Sequence, residues 1–117
     1  MSPGRRSGQH QYLIGLDLGT TAIKGVLTDV NGTVISHQKA AMEYTRAEEG
    51  QVQFDADLFY TKIASIIHKL TALVSSNAEI KGISIASASG NTMLVDGAGR
   101  PILPAVSWMD KRVTDEM

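Results

Sequence analysis

The chain has 117 residues, 43% of them apolar and 20% charged, which places it among globular proteins able to bury a core. A formal net charge of −1 removes any bulk electrostatic reason to expect nucleic acid or an anionic membrane as a partner. With no cysteine, disulfide and thiol chemistry are excluded, and no apolar run reaches the length of a membrane span.

Residues 1–11 are polar and basic, lack the apolar stretch of a secretory signal, and read as a disordered leader. Residues 12–18 form a short, nearly continuous apolar run, the pattern of a strand covered on both faces. Residues 22–28 predict a second strand, rich in Ile, Val and Leu, with Lys24 and Gly25 inside it. Asp29-Val30-Asn31-Gly32 predicts a tight turn, since Asn-Gly readily supplies the positive φ angles of a hairpin. A third strand follows over 33–38. Strands joined this closely run as an antiparallel meander.

Residues 39–54 lack a clear period and read as a loop with room for one short strand. Asp55 or Asp57 caps the helix predicted next, which extends to about Val74. Its apolar stripe is Ile63, Ile66, Ile67, Leu70, Leu73 and Val74, with Thr61, Ser65 and His68 opposite. Such a helix covers one face of a sheet, and His68 reads as a solvated surface residue. Residues 80–86 are a further apolar strand, parallel to the first if reached by a crossover through the helix. The pattern breaks over 87–91 and resumes over 92–95. "DGAGRP" (96–101) is a second turn, after which a short strand runs up to Trp108 and a helix begins at Lys111. "LTDVNGTVI" and "LVDGAGRPI" share a strand, Asp, Gly, strand layout, read as common hairpin chemistry rather than duplication.

Chemistry concentrates in "GLDLGTTAIKG", residues 15–25. A P-loop needs Gly-Lys-Ser or Gly-Lys-Thr, and a dinucleotide fold needs closely spaced glycines opening a helix. Neither fits, because the residues after Gly19 resume as a strand. A phosphate-binding hairpin does fit. Gly19 lets the backbone approach an anion, and the amides and hydroxyls of Thr20 and Thr21 donate to phosphate oxygens. Asp17, at the mouth of the strand, would face a hydrated magnesium ion. Lys24 either adds positive charge or points to solvent. The plainer alternative for Asp17 is a cap on a tight turn.

These residues resemble the first phosphate motif of the sugar kinase, actin and heat-shock ATPase superfamily, in which a strand-turn-strand hairpin grips the terminal phosphates of ATP. "GRPILPAVSWMDKR" (99–112) is similar to a stretch of FGGY carbohydrate kinases, xylulokinase- and gluconokinase-like, where a Gly-x-Pro turn leads to Trp-x-Asp-x-Arg. Trp108, Asp110 and Arg112 match that spacing. "GQVQFDADLFY" (50–60) resembles the family's segment between the two motifs, so the likeness runs over about residues 12–112.

Trp108 offers a flat apolar face to the C–H side of a sugar, while Asp110 and Arg112 bond either hydroxyls or each other. The sequence departs from the family after the strand ending at Ala86. Xylulokinase-like members place Gln-Met-His-Gly there and glycerol kinases Gln-Arg-Glu, whereas this chain has Ala88-Ser89-Gly90-Asn91. Ser89 and Asn91 stay candidates for bonding hydroxyls, or Ser-Gly-Asn is simply a turn.

The resemblance implies part of an α/β domain of the ribonuclease H-like (actin-like ATPase) type. Its mixed sheet would hold an antiparallel three-strand meander, followed by a helix and a parallel strand. Residues 12–117 would be the amino-terminal part of the first domain of an FGGY kinase. Such an enzyme transfers the γ-phosphoryl group of ATP, with Mg2+, to a sugar or polyol hydroxyl. Asp17 would serve the metal, Gly19, Thr20, Thr21 and Lys24 the phosphates, and Ser89, Asn91, Trp108, Asp110 and Arg112 the sugar. The catalytic base, a downstream Asp in the family, is expected beyond the chain end, so the chain alone is expected to be inactive. The expected partner is a small sugar or polyol in the cytoplasm, with no nucleic acid or membrane, and homodimerisation is left open for the full-length protein. Two alternatives stand beside this. One is a nucleotide-gated, chaperone-type ATPase domain of the same superfamily, in which Trp108, Asp110 and Arg112 pack structurally. The other is a domain with no ligand.

Overall fold

The computed structural model describes residues 10–112. The expected leader over 1–9, and residues 113–117 of the expected terminal helix, lie outside the described residues. In chain order the elements are β1 (Gln11–Leu18), β2 (Ala22–Asp29), β3 (Val34–Ala41), β4 (Gln53–Phe54), α1 (Ala56–Thr71), β5 (Glu79–Ser87) and β6 (Ala105–Val106). β1, β2 and β3 form the antiparallel meander, and β5 lies parallel to β1, giving the sheet order β3-β2-β1-β5. β4 and β6 make a separate antiparallel pair.

Several boundaries shift from the pattern-based expectation. β1 starts at Gln11, inside the expected leader, and the neighbouring His10 carbonyl accepts the Glu79 amide. β3 runs on to Ala41 because its ladder with β2 continues to the pair Ala22–Ala41, which local β propensity does not reveal. The strand expected over 92–95 reduces to isolated bridges, Thr92 with Val106 and Val95 with Pro101, and the one expected up to Trp108 is the two-residue β6. The Lys111 amide donates to the Gly50 carbonyl, which ties the chain to a loop where the expected helix would begin.

Asp55 caps α1, its Oδ1 accepting the Leu58 amide at 3.0 Å. The helix ends at Thr71, short of Val74. The Leu73 and Val74 amides bond carbonyls three residues back, a tightening that turns Leu73 away from the stripe and leaves it 56% exposed. Ile66 and Leu70 are buried against Ile14 and Leu16 of β1 and Ile23 and Leu27 of β2, with Ile63, Ile67 and Val74 packed around them. Burying apolar side chains of this size stabilises by roughly 1.5–3 kcal/mol each. The expectation that β1 is covered on both faces is not met among the described residues. Leu13, Gly15 and Asp17 lie on the face away from α1, together with the cross-strand partners Val26 and Lys24.

The two Asp-Gly turns share one design. Asp29 Oδ1 accepts the Asn31 and Thr33 amides at 2.9 Å each, and Asp96 Oδ1 accepts those of Ala98 and Arg100 at 2.8 and 3.0 Å. A single positive φ serves each turn, +90° at Gly32 and +82° at Gly99, while Asn31 keeps an ordinary backbone instead of the expected positive φ. The repeated sequence layout therefore reflects the same side-chain-to-backbone turn chemistry at two places.

Candidate functional site

The turn from β1 to β2 is residues 19–21, closed by the Gly19 amide on the Ala22 carbonyl at 3.1 Å. A Cβ on Gly19 would stand 3.0 Å from that carbonyl oxygen and 3.6 Å from Asp17 Oδ1. Glycine is needed here for room, not for a left-handed backbone. Two carbonyls of the turn are anchored: Thr20 O accepts the Tyr44 hydroxyl at 2.5 Å and Thr21 O accepts the Met42 amide at 3.0 Å. The Thr20 and Thr21 amides donate no hydrogen bond among the described residues. In a trans peptide the N–H points opposite to the C=O, so anchoring the Thr20 carbonyl aims the Thr21 N–H away from the protein. Two free amides in a rigid turn are what an anion site requires.

Asp17 is the penultimate residue of β1 and is exposed. Its carboxylate has no hydrogen bond and no ion pair among the described residues, in contrast with Asp29, Asp55 and Asp96, each of which caps a turn or helix. The turn-cap reading of Asp17 therefore has no bond to support it. Lys24 faces it across the β1–β2 ladder without forming an ion pair. Both line a shallow depression of about 390 Å³ on the helix-free face of the sheet, with His37, Lys39, Ser84 and Ala86.

The break after β5 reaches the same turn. The Ala88 amide donates to the Leu18 carbonyl at 3.0 Å, and Asn91 Oδ1 accepts the Trp108 backbone amide at 2.9 Å. Trp108 Nε1 donates to Thr20 Oγ1 at 3.1 Å, and the indole remains 54% exposed. Because the Thr20 oxygen accepts from the indole, its own hydrogen stays available for an acceptor outside. Gly90 has φ +92°, and a Cβ there would lie 3.0 Å from Trp108 Cβ. The small residues at this break thus make the turn and clear space for Trp108. Asn91 uses its carbonyl oxygen on backbone, leaving Nδ2 as its free donor, and Ser89 is exposed beside it.

Asp110 and Arg112 bond each other. The Asp110 side chain is 4% exposed, accepts the Val52 amide at 2.9 Å, and receives Arg112 Nη2 at 2.8 Å and Nε at 3.1 Å. Glu48 lies 4.0 Å from Arg112 on the other side. The pair fastens the segment carrying Trp108 to the 48–52 loop. Arg112 first, and then the Val52 amide, hold the Asp110 carboxyl well below its ordinary value of 3.8. A depressed folded-state pKa contributes stability that is present above the ordinary value and is lost as pH falls below it. Asp110→Asn should flatten the decline in unfolding midpoint between about pH 6 and about pH 3. Equal slopes in variant and wild type would contradict the staple.

Tyr44 escapes a reading of the sequence. It sits in a stretch with no period, and its partner Thr20 is 24 residues away. Among the described residues no helix is long and apolar enough to cross a membrane, and no cluster of three or more His, Asp or Glu could wrap a metal ion.

Comparison with known proteins places this geometry. A model of the FGGY family of carbohydrate kinases, N-terminal domain, matches residues 12–117. A xylulose kinase of Lactococcus lactis is 26% identical over 106 residues, covering 90% of this chain and 21% of that protein. The crystal structure of a gluconate kinase from Lactobacillus acidophilus superposes with a TM-score of 0.84 at 27% identity, over 91% of this chain and 21% of that one. A Plasmodium falciparum glycerol kinase solved with ADP shares the fold, with a TM-score of 0.78 at 20% identity over 92% and 22% of the two chains. The chain therefore spans about a fifth of the length of the relatives it matches. The architecture they share is the partial ribonuclease H-like, actin-like ATPase domain that the sequence predicts.

Proposed function

Because the chain belongs to the FGGY family of carbohydrate kinases, we propose that it supplies, within a longer protein, the phosphoryl-donor hairpin and one wall of the acceptor site of such a kinase. The reaction is transfer of the γ-phosphoryl group of ATP to a hydroxyl of a sugar or polyol. The observation that carries this reading is the turn at 19–21. Its two threonine carbonyls are tied to Tyr44 and Met42, its two threonine amides donate no hydrogen bond among the described residues, and the exposed Trp108 docks on the Thr20 hydroxyl.

The amides of Thr20 and Thr21 and the Thr20 hydroxyl donate to phosphate oxygens, with Gly19 keeping the turn narrow. Asp17, a carboxylate with no hydrogen bond or ion pair among the described residues, suits a hydrated Mg2+, which keeps several waters and takes one or two carboxylates. Bound there, the ion would neutralise charge on the transferring group. Lys24 adds positive charge to the same face. The Trp108 face takes the C–H side of the acceptor, with Asn91 Nδ2 and Ser89 Oγ as hydroxyl partners. Asp110 and Arg112 serve that site by holding the Trp108 segment in place. Sugar and phosphate must meet within contact reach for in-line transfer, and the Trp108–Thr20 bond is where the two sides touch.

The test is ADP release by the full-length protein with ATP, Mg2+ and a panel of pentoses, aldonates and polyols. One of them should stimulate release about tenfold or more, a change of about 1.4 kcal/mol in barrier, with one sugar phosphate formed per ADP. Hydrolysis indifferent to every acceptor would overturn the kinase reading in favour of a nucleotide-gated binding domain. The 117-residue chain alone should transfer nothing.

A further inference from the structure

Tyr44 stands outside every motif quoted above, yet it holds the turn from behind. Its hydroxyl donates to the Thr20 carbonyl at 2.5 Å. The ring itself is fixed on two sides, edge-on to Phe54 with centroids 6.0 Å apart and beneath the Arg46 guanidinium at 5.5 Å. Phe54 in turn packs edge-on against Phe59 of α1 at 5.4 Å and belongs to a buried cluster with Ala56 and Ala105. A chain of packed rings therefore connects the helix start to one carbonyl of the turn. Partial burial also pushes the Tyr44 hydroxyl pKa up, opposed by Arg46, so the group stays a protonated donor.

That carbonyl is the other half of the Thr20–Thr21 peptide unit. Peptide planarity makes the direction of the Thr20 C=O and that of the Thr21 N–H one variable. A donor on the carbonyl also polarises the unit, which strengthens the N–H as a donor. Trp108 Nε1 meanwhile bonds the Thr20 hydroxyl, so both the carbonyl and the side-chain oxygen of Thr20 are held.

We infer that Tyr44 is a positioning residue for phosphoryl transfer, its hydroxyl setting the orientation of the Thr20–Thr21 peptide that faces the terminal phosphates of the nucleotide. This rests on the kinase reading above. Tyr44 touches neither substrate. It acts through the turn alone, so its removal moves nucleotide parameters and spares acceptor parameters.

Tyr44→Phe deletes one hydroxyl and retains the ring packing. In the full-length kinase, kcat/KM for ATP should fall about tenfold, the scale of one hydrogen bond. KM for the acceptor should stay within about twofold. Amide exchange of a peptide covering 18–24 should accelerate, while a peptide covering the α1 core does not change. The mechanism is overturned by wild-type kcat/KM for ATP, by equal losses toward ATP and acceptor, or by exchange accelerated throughout the domain, the mark of a merely structural role. If wild-type protein transfers phosphate and Tyr44→Phe matches it, this inference alone fails. If wild-type protein transfers phosphate to no acceptor, the parent reading fails first.

Discussion

Asp17→Asn in the full-length protein should lower turnover about 100-fold or more, the scale of removing one strong electrostatic contact to the transition state. That factor corresponds to about 2.7 kcal/mol in barrier. Asparagine keeps the size and shape of the side chain, and Asp17 has no internal hydrogen bond or ion pair to lose among the described residues. Stability should therefore move by no more than about 0.5 kcal/mol, as for an ordinary surface substitution. Asp55→Asn is a useful contrast, since asparagine caps helices about as well as aspartate and that residue lies outside the proposed site. Turnover is to be measured at saturating ATP, acceptor and magnesium, with the unfolding midpoint as control. Wild-type turnover under those conditions would remove Asp17 from the proposed metal site.

How much of this was legible follows from the range of each signal. The strands at 12–18 and 22–28, the Asp55 cap and the Ile66–Leu70 stripe are short-range patterns, and they appear where the sequence puts them. The end of α1 is not legible. Leu73 continues the stripe in sequence, and only the backbone bonds after Thr71 turn it out. Asp110 and Arg112 at spacing two fit an ion pair or a sugar site equally well; they bond each other, and the Val52 amide, 58 residues away, adds the long-range bond to the carboxylate. Trp108 shows a similar limit. Its apolar face can be named from composition, but the contact that links it to the hairpin spans 88 residues. Contacts of that range carry no local period, so Tyr44 and the demand for glycine at position 90 stay hidden until the chain is folded.

Gly25 carries a large expected stability effect. A glycine inside a strand usually weakens it or marks a close approach, and here the approach is α1 crossing β2. A Cβ at this position would meet Ile66 Cγ2 at 2.5 Å, Leu70 Cδ1 at 3.2 Å and Leu16 Cδ2 at 3.3 Å. Those three side chains are 3%, 0% and 4% exposed, so none can swing into solvent. The backbone itself is ordinary, because Gly25 is not among the positive-φ glycines, and any penalty is therefore one of space. Gly25→Val should destabilise the full-length protein by about 3 kcal/mol, the upper end of the usual overpacking range. Ile66→Ala alone should cost about 2–5 kcal/mol by opening a cavity. Combined, the two should cost less than their sum, since each relieves the other, with a coupling of at least about 0.5 kcal/mol. Denaturant unfolding of the four proteins in the cycle measures this directly. A neutral Gly25→Val, or strictly additive losses, would mean that α1 does not rest on β2 at this glycine. A coupling of that size matters beyond the core. α1 begins at the rings that support Tyr44, so a helix lifted from β2 should also loosen the turn that Tyr44 holds.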